Sequence, residues 1–282
     1  MLLQKQVDKF IMNLNVADGG ISNVLYHVGE RELAFMSLLR ETVEEGMTCV
    51  DLGSNIGYTT LFMLDKVGET GRVYAIEPDP NNLGLLQSNI RQNNYTSICE
   101  VTQCAISDTD GQLDFWQASA PNLSSITKHK NSTHKITVDS FCLNTFLSSR
   151  EYPNFLKMDV EGGEVKIFEG GLDYFTKNRG TTHFLVEVHP ATYNEENDFE
   201  AILKKYFEIG FSPKYVVTTP VPQPTLFAEA GYTPARTVET DGFHRGVYDD
   251  ISNEHLLEFA CREHQEGRSK KIVRSFMLSR EE

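Results

Sequence analysis

Asp51 closes an apolar run, TCVDL, and Gly53 and Gly57 follow in the pattern D-x-G-x-x-x-G. An acid and two glycines at the tip of a buried strand suit a ligand that comes close to the backbone. Gly53 permits a sharp turn, and Gly57 lets the next helix start against it. That helix start offers free amides and the positive end of a dipole, which suit a carboxylate or phosphate. Glu77 ends VYAIE, 26 residues after Asp51 (77 − 51 = 26). An acid in that place can accept both hydroxyls of a ribose. FLKMDVEGGEVKIFEGG sets Asp159, Glu161 and Glu164 around two glycines at a further strand tip. Acids there also cap helices, and Glu164 can serve both ends. In FLVEVHP, Glu187 and His189 alternate onto one side of their strand.

A dinucleotide asks for G-x-G-x-x-G, so that backbone can approach a pyrophosphate. Position 55 is Asn, and the middle glycine is missing. The observed spacing suits S-adenosylmethionine instead, with Asp51 meeting its ammonium directly or through water and the loop amides its carboxylate. With such a donor the protein must chiefly align a methyl group with a nucleophile. A hydroxyl nucleophile gains from a base within hydrogen-bond reach, and Asp159, Glu161 and His189 are the candidates. A neutral imidazole near pH 7 suits the role, although a histidine before Pro190 can equally be a strand cap. Asp159, Glu187 and His189 could together hold a divalent ion that lowers the hydroxyl's pKa. Their spacing is not diagnostic, and no metal is assigned. His129 and His134 lie in a polar stretch and read as surface residues.

Alternating elements must position these groups. TCVDL, RVYAIE, ICEVTQCAI, FLKMDV, HFLVEVH, KYVV and KKIVRSFMLSR read as strands. Helices fall at RELAFMSLLRETVEE, YTTLFMLDKV, NNLGLLQSNIRQNN and FEAILKKYFEIG, with Asp79 as cap and Pro80 in the first turn of the third. A short helix is expected near residues 139–148, and EVKIFEGG reads as another, stopped by its glycines. Residues 1–30 read as an N-terminal extension of short strands and turns, with a hairpin signal at Asp18-Gly19. Residues 31–282 form the main domain. Asp110-Gly111 turns into QLDFW, residues 117–135 read as loop, and residues 219–245, with four of the ten prolines, read as a long loop.

The chain has 282 residues, 40% hydrophobic and 23% charged, enough for a core without staples. A net charge of −14 makes nucleic acid a poor partner. Five cysteines without a C-x-x-C pair read as reduced thiols. The N-terminal residues hold no apolar core of a signal peptide, and no run approaches the roughly 20 residues that span a bilayer. A soluble cytoplasmic protein is expected.

In order and wording these segments resemble the FkbM family of S-adenosylmethionine-dependent methyltransferases, over about residues 20–215. VDLGSNIGYTT is similar to the family's cofactor loop, and VYAIEPDPNNLGLLQSNIRQNN to its ribose-binding segment. CAISDTDGQLDF and FLVEVHP are similar to its third-strand and fifth-strand segments. ITVDSF followed by FLKMDVEGGEVKIFEGG resembles its K-x-D-x-E-G-x-E signature, with Gly163 where Ala is common. The resemblance implies methyl transfer to a hydroxyl of a sugar, glycolipid or secondary metabolite. It places Asp51, Gly53, Ser54, Asn55, Gly57, Tyr58 and Thr59 in the cofactor loop. Glu77 takes the ribose with Pro78 beside it, Ala105 and Ile106 flank adenine, and Asp159 lies between cofactor and acceptor. The expected fold is α/β, a Rossmann-like class I methyltransferase sheet of seven strands in order 3-2-1-4-5-7-6. Helices cover both faces, and only the last strand is antiparallel. A nicotinamide oxidoreductase and a non-catalytic binding module of the same fold are the rival readings.

Overall fold

The computed structural model describes residues 1–17, 19–118, 124–127, 132–219, 224–266 and 270–282. The chain opens on a hairpin, β1 (Leu2–Val7) and β2 (Phe10–Asn15). It turns at Asp8, whose φ of 53° is left-handed, and not at Asp18-Gly19; Asp18 lies outside the described residues. Helices α1 (Ile21–His27) and α2 (Leu33–Thr42) follow. Then come β3 (Thr48–Leu52), α3 (Tyr58–Val67), β4 (Arg72–Ile76) and α4 (Pro80–Gln92). As expected, the Asp79 side chain caps α4 by accepting from the Asn81 amide, and Pro80 occupies its first turn.

The apolar run at residues 98–106 is two strands rather than one. β5 (Cys99–Thr102) pairs with β4, and the chain then leaves the sheet. β6 (Ala105–Ser107) joins β7 (Gly111–Ala118) and β8 (Ser132–Cys142) in a separate three-stranded sheet of order β6-β8-β7. Part of the expected 117–135 loop is therefore strand; His134 is exposed on β8, and His129 lies outside the described residues. Next come α5 (Leu143–Ser148), β9 (Phe155–Met158) and α6 (Glu164–Lys177). α6 does not stop at its glycines. A Cβ on Gly170 would intrude on the Ser107 carbonyl oxygen, and one on Gly171 would crowd Leu143 and Tyr206. These glycines serve close packing inside the helix, at the usual cost in helix propensity.

β10 (Thr182–Glu187), α7 (Phe199–Glu208), β11 (Ser212–Thr218), α8 (Thr225–Glu229), β12 (Arg236–Thr240), β13 (Phe243–Tyr248), α9 (Asn253–Ala260) and β14 (Val273–Arg280) complete the chain. The main sheet has nine strands, not seven, in the order β12-β13-β11-β14-β10-β9-β3-β4-β5. The two additional strands come from residues expected to be loop. They pair through a turn at Asp241 and Gly242, both at positive φ, a two-residue hairpin turn. The prolines lie upstream of that hairpin and mask its signal. β14 runs antiparallel to both β10 and β11, and β13 is antiparallel to β11 as well, so the last strand is not the sole reversed one.

Both faces of the sheet are covered. β3 is buried throughout, with Val50 and Leu52 in one apolar cluster and Cys49 in the other. The second cluster also contains Val7, Phe10, Met12 and Leu14 of the hairpin, which share it with α2, α3 and α4. Hydrogen bonds reinforce that packing. The Ile11 amide donates to Asn93 Oδ1 (3.0 Å) and the Asn13 amide to Asn89 Oδ1 (2.6 Å). Asn89 Nδ2 donates onward to the Ile56 carbonyl (2.8 Å), in the loop after β3. The five cysteines are free. Among the described residues no helix is long and apolar enough to cross a membrane.

Candidate active site

β4, β3, β9 and β10 lie side by side, and a cavity opens where their carboxyl ends meet. The turn after β3 forms one wall. The amides of Gly53 and Ser54 both donate to the Ile76 carbonyl, at 3.1 and 2.9 Å. Gly53 has φ 77°, and a Cβ there would collide with the Asp159 carbonyl oxygen, so only glycine allows β3 and β9 to meet so closely. Asn55, also at positive φ, donates its amide to Glu77 Oε2 at 2.7 Å. The other oxygen, Oε1, accepts the Asp79 amide at 2.9 Å. Glu77 is 4% exposed, and burial, opposed by these amides, pushes its carboxyl up to about 7. Oε1 also accepts Asn82 Nδ2 at 3.4 Å, whereas Oε2, with one donor, keeps acceptor capacity that fits a ribose hydroxyl. Pro78, Ala105 and Ile106 continue the wall with Cys104 and Phe115, an apolar surface for a base. Ser54, Tyr58 and Thr59 also line it.

Asp51 and Gly57 do not reach the cavity. Asp51 is fully buried, and its Oδ2 accepts from Thr59 Oγ1 (2.9 Å) and Thr60 Oγ1 (2.6 Å). Its Oδ1 lies 3.1 Å from Lys157 Nζ, and the two residues are register partners on β3 and β9. The expected direct contact of Asp51 with a cofactor ammonium is therefore corrected. The side chain points to the face covered by α3, the direction its place in the strand alternation dictates. Gly57, at φ 91°, instead lets Leu86 of α4 come close. Lys157 was not anticipated. It lines the cavity and donates to the Gly53 carbonyl at 2.7 Å, tying the Asp51 charge to the cofactor turn. Burial lowers the Lys157 pKa, but Asp51 and Asp159 outweigh it, so the ammonium is retained.

The acidic end is built from β9, α6, β10 and β14. Asp159 borders the cavity, and its Oδ1 is buried without a hydrogen-bond partner among the described residues. Burial and then the Glu187 carboxylate push its carboxyl up to about 6. Glu161 also lines the cavity; burial, with Asp159 and Glu187 adding to it against His189, raises it to about 8. Glu187 is 3% exposed. Its Oε1 lies 2.5 Å from Arg274 Nη1 and 3.3 Å from Lys271 Nζ. Burial alone would raise it, but Arg274 and Lys271 dominate and hold it at about 2.

His189 Nδ1 is 2.7 Å from Glu164 Oε1, and Nε2 is 3.3 Å from Glu161 Oε2 and 3.6 Å from Glu187 Oε1. Burial opposes its charge, yet Glu164, Glu187 and Glu161 together raise it to about 9. The three surrounding carboxylates favour the protonated ring, against the expected neutral imidazole. Glu164 Oε1 also accepts the Gly162 amide (3.0 Å), which braces the turn before α6 and does not cap the helix. Arg31, Glu32 and Arg274 line the cavity without having been foreseen. Glu32 Oε1 joins the two guanidinium groups at 2.9 and 2.8 Å.

Among curated relatives, Methyltransferase 1 of Beauveria bassiana is 30% identical over 145 residues, 43% of this chain and 57% of that protein. The hexuronic acid methyltransferase AglP of Haloferax volcanii is 30% identical over 165 residues, 57% of this chain and 63% of that protein. The chain thus spans about three fifths of the length of these relatives. A crystal structure of methyltransferase FkbM from Methylobacillus flagellatus gives a TM-score of 0.45 at 17% identity, covering 72% of this chain and 43% of that one. The family model for the methyltransferase FkbM domain matches residues 51–213, from the buried acid of β3 to the start of β11. The chain belongs to the FkbM methyltransferase family, and its cofactor is S-adenosylmethionine.

Proposed function

We propose that this protein methylates a hydroxyl group of a sugar or a related small metabolite. The observation that carries the reading is Asp159 Oδ1, a buried acceptor without a donor among the described residues, on a residue at the edge of the cavity that Glu77 shares. Such an atom is costly unless something brings it a hydrogen. An acceptor hydroxyl does so. S-adenosylmethionine, when bound, supplies a methyl group on a positively charged sulfur. Glu77 holds the ribose, and the Gly53–Asn55 backbone and Lys157 fix the turn beside it. Asp159, with Glu161 beside it, orients the hydroxyl and takes up its proton as the oxygen bonds to carbon. The similarity to the hexuronic acid methyltransferase of Haloferax volcanii supports a sugar acceptor. The net charge of −14 disfavours a nucleic acid.

A screen of neutral and acidic sugars with labelled S-adenosylmethionine tests the reading. Asp159→Asn should lower turnover by about 10²- to 10⁴-fold while leaving S-adenosylhomocysteine affinity nearly unchanged. Tight binding of that product without turnover on any hydroxyl would favour a binding module. Binding of NADH in its place would favour an oxidoreductase.

A further inference from the structure

Asp159, Glu187 and His189 stand at the tips of two neighbouring strands and offer three ligand atoms within 4.8 Å of one another. Orienting a hydroxyl takes one carboxylate. It does not explain a second carboxylate and an imidazole aimed at the same point. The surroundings hold the three groups in place. Glu164, fully buried and also bonded by the Gly162 amide and the Tyr193 hydroxyl, grips Nδ1 of His189. A carboxylate behind the ring fixes its orientation and makes the outer nitrogen a stronger donor, the arrangement found behind metal-bound histidines. Nε2 is thereby turned toward Glu187 and Glu161. Arg274 and Lys271 anchor Glu187 through Oε1, and among the described residues Oε2 makes no hydrogen bond. Independently, Asp159 Oδ1 is buried with no donor among the described residues.

We propose that Asp159, Glu187 and Nε2 of His189 hold a divalent cation of the magnesium or manganese class. Two carboxylates and one imidazole, without a thiolate, suit a hard ion that completes its shell with water or a hydroxyl. The ion takes the place of the proton on Nε2. Asp159 and Glu187 both line the cavity, so the open side of the ion faces the acceptor, whose hydroxyl becomes more acidic there. The last step deepens the proposed function and rests on it; the binding of the ion rests on the three side chains alone.

The experiment uses the full chain, stripped with chelator and dialysed. Manganese(II) is titrated in while the paramagnetic resonance of the free ion is followed, and S-adenosylhomocysteine binding is measured by calorimetry on the same samples. One manganese per chain should bind, with nitrogen coupling from an imidazole in its spin-echo spectrum. His189→Gln should abolish that coupling. Asp159→Asn should weaken manganese binding at least about tenfold. In the stripped state this variant should melt no lower than the parent, because it removes an unpartnered buried carboxylate, and added manganese should no longer raise its melting temperature. No bound manganese at millimolar concentration, or equal binding by the parent and both variants, would overturn the proposal. Manganese binding with no S-adenosylhomocysteine binding or no methyl transfer would instead sink the methyltransferase reading and leave the ion site standing.

Discussion

Lys157→Met offers the sharpest test of how the cofactor turn is held. Lys157 and Asp51 face each other across β9 and β3 at 3.1 Å, both buried. Removing the lysine leaves a buried carboxylate with only the Thr59 and Thr60 hydroxyls for company. Breaking such a pair on one side costs about 3–5 kcal/mol, and the two hydroxyls place the expected loss near the lower figure, about 3 kcal/mol. Asp51→Leu strands the lysine in the same way, with the Gly53 carbonyl as its main remaining partner. The double variant removes both charges and should lie within about 1–2 kcal/mol of the parent, far from the sum of the singles. Urea unfolding followed by circular dichroism measures all four proteins, with unchanged m-values as the check that the same states are compared. Lys157→Met should also weaken S-adenosylhomocysteine binding, because the Gly53 carbonyl loses its clamp. Single variants that each cost under about 1 kcal/mol, or a double variant equal to their sum, would refute the view that each charge exists to neutralise the other.

Other expectations concern the same turn and the helix behind it. Burial raises Glu77 from its ordinary 4.5 to about 7, whereas a ribose diol needs the carboxylate. S-adenosylhomocysteine should therefore bind about tenfold more weakly at pH 6 than at pH 8, and calorimetry should find no such slope in Glu77→Gln. In the ligand-free protein the sign is opposite: this carboxyl costs nothing below pH 4.5 and lowers stability as pH rises through 7. Gly53→Ala combines a left-handed φ with a collision against Asp159, so it should lower stability by at least about 1–3 kcal/mol and abolish cofactor binding; a variant with normal affinity would show that the turn can move. Gly170→Ala, in mid-helix, should destabilise by about 1–3 kcal/mol in spite of alanine's better helix propensity; a stabilised variant would mean that the contact with Ser107 is slack.

Local signals explain why much of this was legible. The β3–α3–β4–α4 run is readable because buried parallel strands are continuously apolar, and because Gly57, Gly68 and the Asp79-Pro80 cap punctuate it. Glu77 was accessible through its distance from Asp51. Lys157 was not, since a lysine inside FLKMDV becomes sensible only once strand register sets it against Asp51. Arg274 and Glu32 were hidden for a similar reason: they meet across the whole length of the chain. The glycines at 170 and 171 misled because glycine marks a helix stop and a close contact alike. In the 236–248 hairpin, Asp241-Gly242 was a usable signal, overshadowed by the prolines before it. The carboxylate surroundings of His189 are hidden in the sequence because they come from two elements, α6 and β10, and from the turn between β9 and α6.

The Asn89 side chain joins two parts of the protein that lie far apart in sequence. One amide group holds the backbone of the first hairpin and the Ile56 carbonyl in the cofactor turn. By linkage, the part of the turn's steadying that passes to the hairpin is matched by an equal effect of the hairpin on the turn. The amide of Asn13, 64 residues before Glu77 (77 − 13 = 64), therefore becomes a reporter: its hydrogen exchange should slow when the cavity is filled. Deleting the hairpin, conversely, would raise the cost of ordering the turn and lower cofactor affinity, although none of the deleted residues borders the cavity.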